Sequence, residues 1–164
     1  MNNLKNKVKD AELVLIGIGE RFTVKDNEQE LIQAYKKLKE LLADKNYFII
    51  TTCMDELLQK SGLREDRIVC PLLEEESEEG KTTRWERYMK WLQGTLNRKL
   101  LVIELGVGLI YPDIIRFPFE KITFYNQKSE LYRIHDKLFQ LPPELKERGH
   151  SLEKEPIQFL QSIL

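Results

Sequence analysis

Two kinds of apolar pattern alternate along this chain. Short unbroken apolar runs occupy residues 12–17, 46–52, 67–70, 100–105 and 130–135, with a weaker run at 150–152. Runs of this length, rich in β-branched and aromatic residues, read as strands buried on both faces. A helical spacing fits 130–135 nearly as well. Between the runs the apolar residues recur at three and four. Leu31, Ala34, Tyr35, Leu38, Leu41 and Leu42 fall on one face of a helix over 28–42, with Asp26 or Asn27 as its cap. Trp85, Tyr88, Met89 and Leu92 form the stripe of a second helix over 83–96. Shorter helices are predicted over 1–10, over 56–61 between Asp55 and Gly62, over 112–117 ended by Pro118, and over 142–149. A last one follows Pro156, with Ile157, Leu160 and Leu164 facing inward. Strand and helix in alternation predict a Rossmann-like, three-layer, doubly wound α/β domain. The sheet is parallel, has about six strands, and forms one domain over 1–164. The acidic stretch at 73–82 reads as a solvated surface loop.

Three of the predicted strands end in loops able to approach a ligand. The first carries Gly17-Ile18-Gly19, the second Thr51-Thr52-Cys53-Met54-Asp55, and the third Gly106-Val107-Gly108. In an open doubly wound sheet, ligands sit outside the carboxyl ends of the strands where the strand order reverses. Glycine loops before a helix let backbone N–H groups reach a phosphate. An ordinary tight turn explains two glycines equally well; three such loops converging on one crevice favour a nucleotide site.

Composition narrows the chemistry. The 164 residues are 41% hydrophobic and 32% charged, with a formal net charge of -1. That balance calls for neither nucleic acid nor an anionic membrane surface as partner. No apolar run is long enough to span a bilayer, and the first ten residues lack a signal-peptide core, so the expected location is the cytoplasm. Cys53 and Cys70 form no CxxC pair, and His135 and His150 are the only histidines. No zinc or other metal site is expected, and both thiols read as small buried hydrophobes. Glu104 lies within a buried run and needs a partner, for which Arg84, Arg87 and Arg98 are candidates. Glu20 and Asp55 could act as paired carboxylates beside a ribose, or as a loop charge and a helix cap.

These segments, taken in order, resemble the sirtuins, and most closely the microbial branch often linked to macrodomains and active in ADP-ribosylation. Residues 11–19 resemble the family's first strand and Gly-Ala-Gly turn, and residues 47–55 its Thr-(Thr/Gln)-Asn-(Ile/Val)-Asp strand end. Residues 91–96, 101–108 and 112–119 carry the most specific likeness, and 126–128, 132–135 and the segment after Pro142 fall at similar spacing. The resemblance implies the sirtuin-type, DHS-like NAD/FAD-binding domain, with strand order 3-2-1-4-5-6. It implies NAD or ADP-ribose as ligand, held by Gly17, Ile18, Gly19, Glu20, Thr52, Cys53, Asp55, Gly106, Val107, Gly108 and His135.

Departures from the family pattern are as informative. Glu20-Arg21-Phe22 replaces the start of the long cofactor-binding segment. Cys53 stands where the family has asparagine, and His135 where asparagine usually ends the adenosine-side strand. The position of the catalytic histidine falls in Val69-Cys70-Pro71-Leu72, and the acidic loop takes the place of the small zinc domain. No catalytic residue is therefore assigned. The expectation is a catalytically silent NAD- or ADP-ribose-binding domain, a pseudoenzyme acting as sensor or regulatory module. The alternatives are an active NAD-dependent deacylase or ADP-ribosyltransferase, and an interaction protein that keeps the fold without a nucleotide site.

Overall fold

The computed structural model describes residues 2–23, 27–53, 56–73 and 79–163. Asp26, Asp55, Leu164 and half of the acidic stretch (74–78), to which the sequence assigned a cap, a site carboxylate, a core contact and a surface loop, lie outside the described residues.

The elements run α1 (Asn2–Asp10), β1 (Leu13–Ile18), α2 (Glu28–Leu41), β2 (Asn46–Thr51), α3 (Glu56–Gln59), β3 (Ile68–Val69), α4 (Arg84–Gln93), β4 (Leu100–Leu105), α5 (Arg116–Tyr125), β5 (Glu130–His135), β6 (Gly149–Glu153) and α6 (Pro156–Ser162). The sheet order is β3-β2-β1-β4-β5-β6, and every neighbouring pair is parallel. The expected six-strand Rossmann-like architecture is therefore present. Strand order reverses between β1 and β4, where Ile18 sits beside Thr51 on one side and Leu105 on the other.

Alternate residues of each strand feed two cores, as a sheet covered on both faces requires. Val14, Ile16 and Ile18, with Ile103, Leu105 and Ile134, pack under α1, α2 and α6 against Leu4, Val8, Tyr35, Leu38 and Leu160. Leu13 and Leu15, with Phe48, Ile50 and Val102, pack against Tyr88 of α4 and Ile115 and Phe119 beside and within α5. The predicted α4 stripe is only partly used. Tyr88 is buried, and Met89 and Leu92 pack against the core, but Trp85 is exposed. Thr83 caps α4 with a reciprocal box, its hydroxyl accepting from Glu86 N–H and the Glu86 carboxylate accepting from Thr83 N–H.

Two helix predictions need correction. Pro118 does not end a helix over 112–117; it stands in the first turn of α5, which begins at Arg116. A proline costs nothing there, because first-turn N–H groups have no partner within the helix. The segment after Pro142 forms a single 3-10 turn, Pro143–Leu145, rather than a helix to Gly149. Gly149 already belongs to β6, and the Arg148 guanidinium is drawn away to the carbonyls of Thr123, Phe124, Asn126 and Ser129 that end α5.

Candidate functional site

At the carboxyl edge of the sheet the ladder runs on into the loops. Gly19 N–H donates to Leu105 O at 3.0 Å, Gly106 N–H to Ile134 O at 2.9 Å, and Thr52 N–H to Ile18 O at 3.0 Å. These bonds start the loops after β1, β2 and β4 from one level, flanking the point where strand order reverses.

The loops after β1 and β4 then lock together. Arg21 N–H donates to Gly106 O at 2.9 Å, and Phe22 N–H to Gly19 O at 3.0 Å. Gly106 has a φ of 67°, and a Cβ there would stand 2.7 Å from Phe22 N. A Cβ on Gly19 would run into Val107 Cα and the Gly106 carbonyl. Phe22 fixes the far end of the turn, its ring buried 5.4 Å from that of Tyr35 on α2. Gly17 is different. It lies within β1, and the room left by its missing side chain is taken by Ile115 and Phe119, which a Cβ would meet at 2.6 and 2.7 Å. Ile18 is buried in the core beneath the rim.

Polar groups then collect along this rim. Among the described residues, the N–H groups of Glu20, Val107 and Gly108 donate to no acceptor. The Glu20 carboxylate accepts from Ile110 N–H at 3.3 Å and lies directly against Gly108. Cys53 Sγ donates to Gly19 O at 3.1 Å, so the thiol packs on the first loop and is only partly buried. Thr52 Oγ1 is a buried hydroxyl without a partner among the described residues. His135 closes the far side. Its Nδ1 accepts from Lys137 N–H at 3.0 Å and Leu138 N–H at 2.9 Å, which puts the ring proton on Nε2. Burial holds the imidazole below its usual pKa, against the pull of Asp136.

Two arginines tie the loops into one piece. Arg21 grips Asp136 with two bonds, at 3.0 and 3.2 Å, and reaches Glu155 at 3.7 Å. Burial works to raise the Asp136 carboxyl; the Arg21 guanidinium more than offsets it and keeps the group below the usual carboxylate range. Arg116, almost fully buried, donates to the carbonyls of Val107 and Leu138, both at 3.1 Å, and of Gln140 at 3.3 Å. Desolvation lowers its pKa. Behind it, Arg133 holds Glu104 through two bonds of 2.8 and 3.0 Å, and its third nitrogen meets Glu120 at 3.0 Å and Gln140 O at 2.8 Å. The partner of Glu104 is thus Arg133, not Arg84, Arg87 or Arg98. The two are register neighbours on adjacent strands and point to the same face. Burial still pushes the Glu104 carboxyl upward, against the pull of Arg133.

The structure therefore joins Cys53 to Gly19, Gly19 to Gly106 and Val107, and Glu20 to Gly108, with Thr52 bonded to the end of β1 and His135 at the end of β5. Arg21, Arg116 and Leu138 were missed in the sequence. Arg116 sits in the first turn after the glycine loop, yet nothing in the spacing says that its side chain turns inward. Among the described residues no group of three His, Cys, Asp or Glu side chains is placed to hold a metal ion, and no helix is long and apolar enough to cross a membrane.

The whole arrangement has solved counterparts. Superposition matches 99% of the chain to 95% of a chain solved for the mechanism and regulation of Sir2 enzymes, with TM-score 0.59 and 10% identity. It likewise matches 99% of the chain to 96% of Sir2Tm bound to a propionylated peptide, with TM-score 0.61 and 11% identity. The fold is sirtuin-like. In sequence, 63 residues are 27% identical to a protein ADP-ribosyltransferase of Staphylococcus aureus. That match takes in 38% of this chain and only 20% of the relative, so the chain spans a small part of that protein's length. No family model matches the chain.

Proposed function

We propose that this chain is an NAD- or ADP-ribose-binding domain that holds the nucleotide without turning it over, as a sensor or regulatory module. The observation that carries the reading is the meeting of three strand-end loops at the reversal of strand order, with donors left over. The N–H groups of Glu20, Val107 and Gly108 would face the pyrophosphate, where close backbone approach and unused donors suit an anion. The Thr52 hydroxyl, without a partner among the described residues, would supply a further polar contact. The sirtuin-like fold supports a nucleotide as the ligand. NAD, when bound, supplies an ADP-ribosyl group with nicotinamide as the leaving group.

Silence is proposed on the chemistry of the donor set. Activation of an acceptor calls for a general base. The segment Val69-Cys70-Pro71-Leu72 offers none. His135 spends its basic nitrogen on two backbone N–H groups. His150 lies toward the other end of the sheet, beside Glu130. The nicotinamide side is weak as well, since the Cys53 thiol cannot replace the carbonyl and two N–H donors of an asparagine. A second reading, active ADP-ribosyl transfer, is favoured by the partial match to a protein of that name.

Calorimetric titration with NAD and ADP-ribose tests the first reading, with similar affinities expected for the two. Nicotinamide release at background supports silence, and release above it supports transfer. Failure of either ligand to bind at millimolar concentration would leave an interaction protein that has kept the fold.

A further inference from the structure

We propose that Arg116 is a positioning residue of the rim: by holding the Val107 carbonyl from behind, it turns the Gly108 N–H outward as a donor to the diphosphate of a bound nucleotide. This rests on the nucleotide-binding reading above and names a residue that serves the site without touching the ligand. Among the described residues the N–H groups of Glu20, Val107 and Gly108 donate to no acceptor. Each shares a peptide group with the carbonyl of the residue before it. These peptides are trans, and in a planar trans peptide the C=O and N–H point in opposite directions. Whatever holds one of these carbonyls therefore aims the N–H on the other side.

All three carbonyls are held, but not by the same means. Gly19 O accepts from Phe22 N–H at 3.0 Å and from Cys53 Sγ at 3.1 Å, which aims Glu20 N–H. Gly106 O accepts from Arg21 N–H at 2.9 Å, which aims Val107 N–H. Val107 O accepts from no backbone N–H among the described residues; its donor is Nη1 of Arg116 at 3.1 Å. Two of the peptides thus keep their aim through the backbone, and the Val107–Gly108 peptide depends on one side chain. It is also the easiest of the three to turn, since Gly108 has no Cβ to oppose rotation on that side.

Arg116 is built to stay where it is. Its guanidinium is almost fully buried and is pinned by two further carbonyls, Leu138 O at 3.1 Å and Gln140 O at 3.3 Å. Those anchors are themselves fixed: Leu138 N–H donates to His135 Nδ1 at 2.9 Å, and Gln140 O also accepts from Arg133 at 2.8 Å. The head group cannot follow Val107 O if that peptide turns. Nor does ion pairing explain its burial. The hydrogen-bond acceptors of Arg116 among the described residues are these three carbonyls, with no carboxylate among them. A buried cation without a bonded counter-ion is costly, and an anion held on the far side of the Gly108 peptide would offset that cost.

The test is titration of the full chain with inorganic pyrophosphate and with ADP-ribose, read by calorimetry and by the backbone amide signals in nitrogen-edited NMR spectra. In the wild type both ligands are expected to shift the amide signals of Glu20, Val107 and Gly108. Arg116→Met removes the donor to Val107 O while filling much of its space. It is expected to lose the Gly108 shift, to keep those of Glu20 and Val107, and to weaken both ligands by about ten-fold, the range of one hydrogen bond to a charged group. If the methionine variant does not fold, Arg116→Lys is read in its place. Lysine keeps the buried cation but lacks the planar fork that spans three carbonyls, and the same selective loss at Gly108 is expected. A folded variant that keeps the Gly108 shift and the wild-type affinity overturns the proposal. So does one that loses all three shifts together, because Arg116 would then prop the whole rim, or a wild type that binds with the Gly108 signal unmoved. A wild type that binds neither ligand would overturn the nucleotide site itself, a separate and recognisable failure.

Discussion

Replacing Arg133 with methionine isolates the buried charge network beneath the rim. Arg133 is 1% exposed and Glu104 0%, and their two bonds are near-ideal at 2.8 and 3.0 Å. Methionine fills much of the arginine stem but leaves Glu104 buried without its partner. Breaking a buried pair in this way typically costs about 3–5 kcal/mol. Gln140 O also loses a donor, while the Glu120 carboxylate is partly solvated and loses less. The expected loss is therefore in that range, read as a fall in the urea midpoint at unchanged m-value.

The same variant makes a pH prediction. Burial already raises the folded-state pKa of Glu104 above its unfolded value. A raised carboxyl favours the fold at low pH, where it is protonated, and the advantage is lost as pH rises through the folded pKa. Without Arg133 the pKa rises further, so the deficit of Arg133→Met should widen as pH rises above the unfolded carboxyl value. The double variant Glu104→Leu/Arg133→Met removes both charges, and should recover most of the loss, to within about 1 kcal/mol of wild type. A single-variant loss below about 1 kcal/mol would refute the reasoning, as would a double variant whose loss is the sum of the two singles.

Two other outcomes are expected. Gly17→Ala should destabilise the fold by about 1–3 kcal/mol through overpacking against Ile115 and Phe119, measured by denaturant unfolding; a neutral result would mean that α5 can shift away freely. The depressed pKa of His135 stabilises the fold fully above the unfolded value of about 6.5, and that contribution is lost as pH falls through the folded pKa. His135→Asn should therefore flatten the acid side of the stability profile, and an unchanged slope would dismiss this linkage.

The fold was legible because a parallel sheet buried on both faces writes itself as unbroken apolar runs. β1, β2, β4 and β5 are each buried almost end to end. Helix ends were less legible, because tertiary partners decide them. Pro118 reads as a stop unless it is known that α5 starts two residues earlier. The segment after Pro142 has a proline and a glycine at suitable ends, yet its arginine is recruited to cap α5 and its glycine enters β6. The Glu104 partner was missed because sequence distance was used in place of strand register; Arg133 lies 29 residues away but directly beside it.

The glycines teach the same lesson for the site. In the sequence, Gly17, Gly19, Gly106 and Gly108 form two equivalent pairs, both pointing to a phosphate. In the structure they answer three different needs. Gly17 makes room for α5, Gly19 and Gly106 let two loops touch, and Gly108 gives space to the Glu20 carboxylate. Gly106→Val would thus wreck the contact with Arg21 and Phe22, and a loss of binding in that variant would say nothing about a ligand. What speaks for a ligand is what the glycines leave over: three N–H groups and a buried Thr52 hydroxyl that have no partner among the described residues. Unpaired polar groups collected at one rim are costly to a fold that has no use for them. Among the described residues the Tyr132 hydroxyl is also buried without a partner, so it is the grouping of Thr52 with the N–H groups of the loops after β1 and β4, at the edge where strand order reverses, that supports the proposed site.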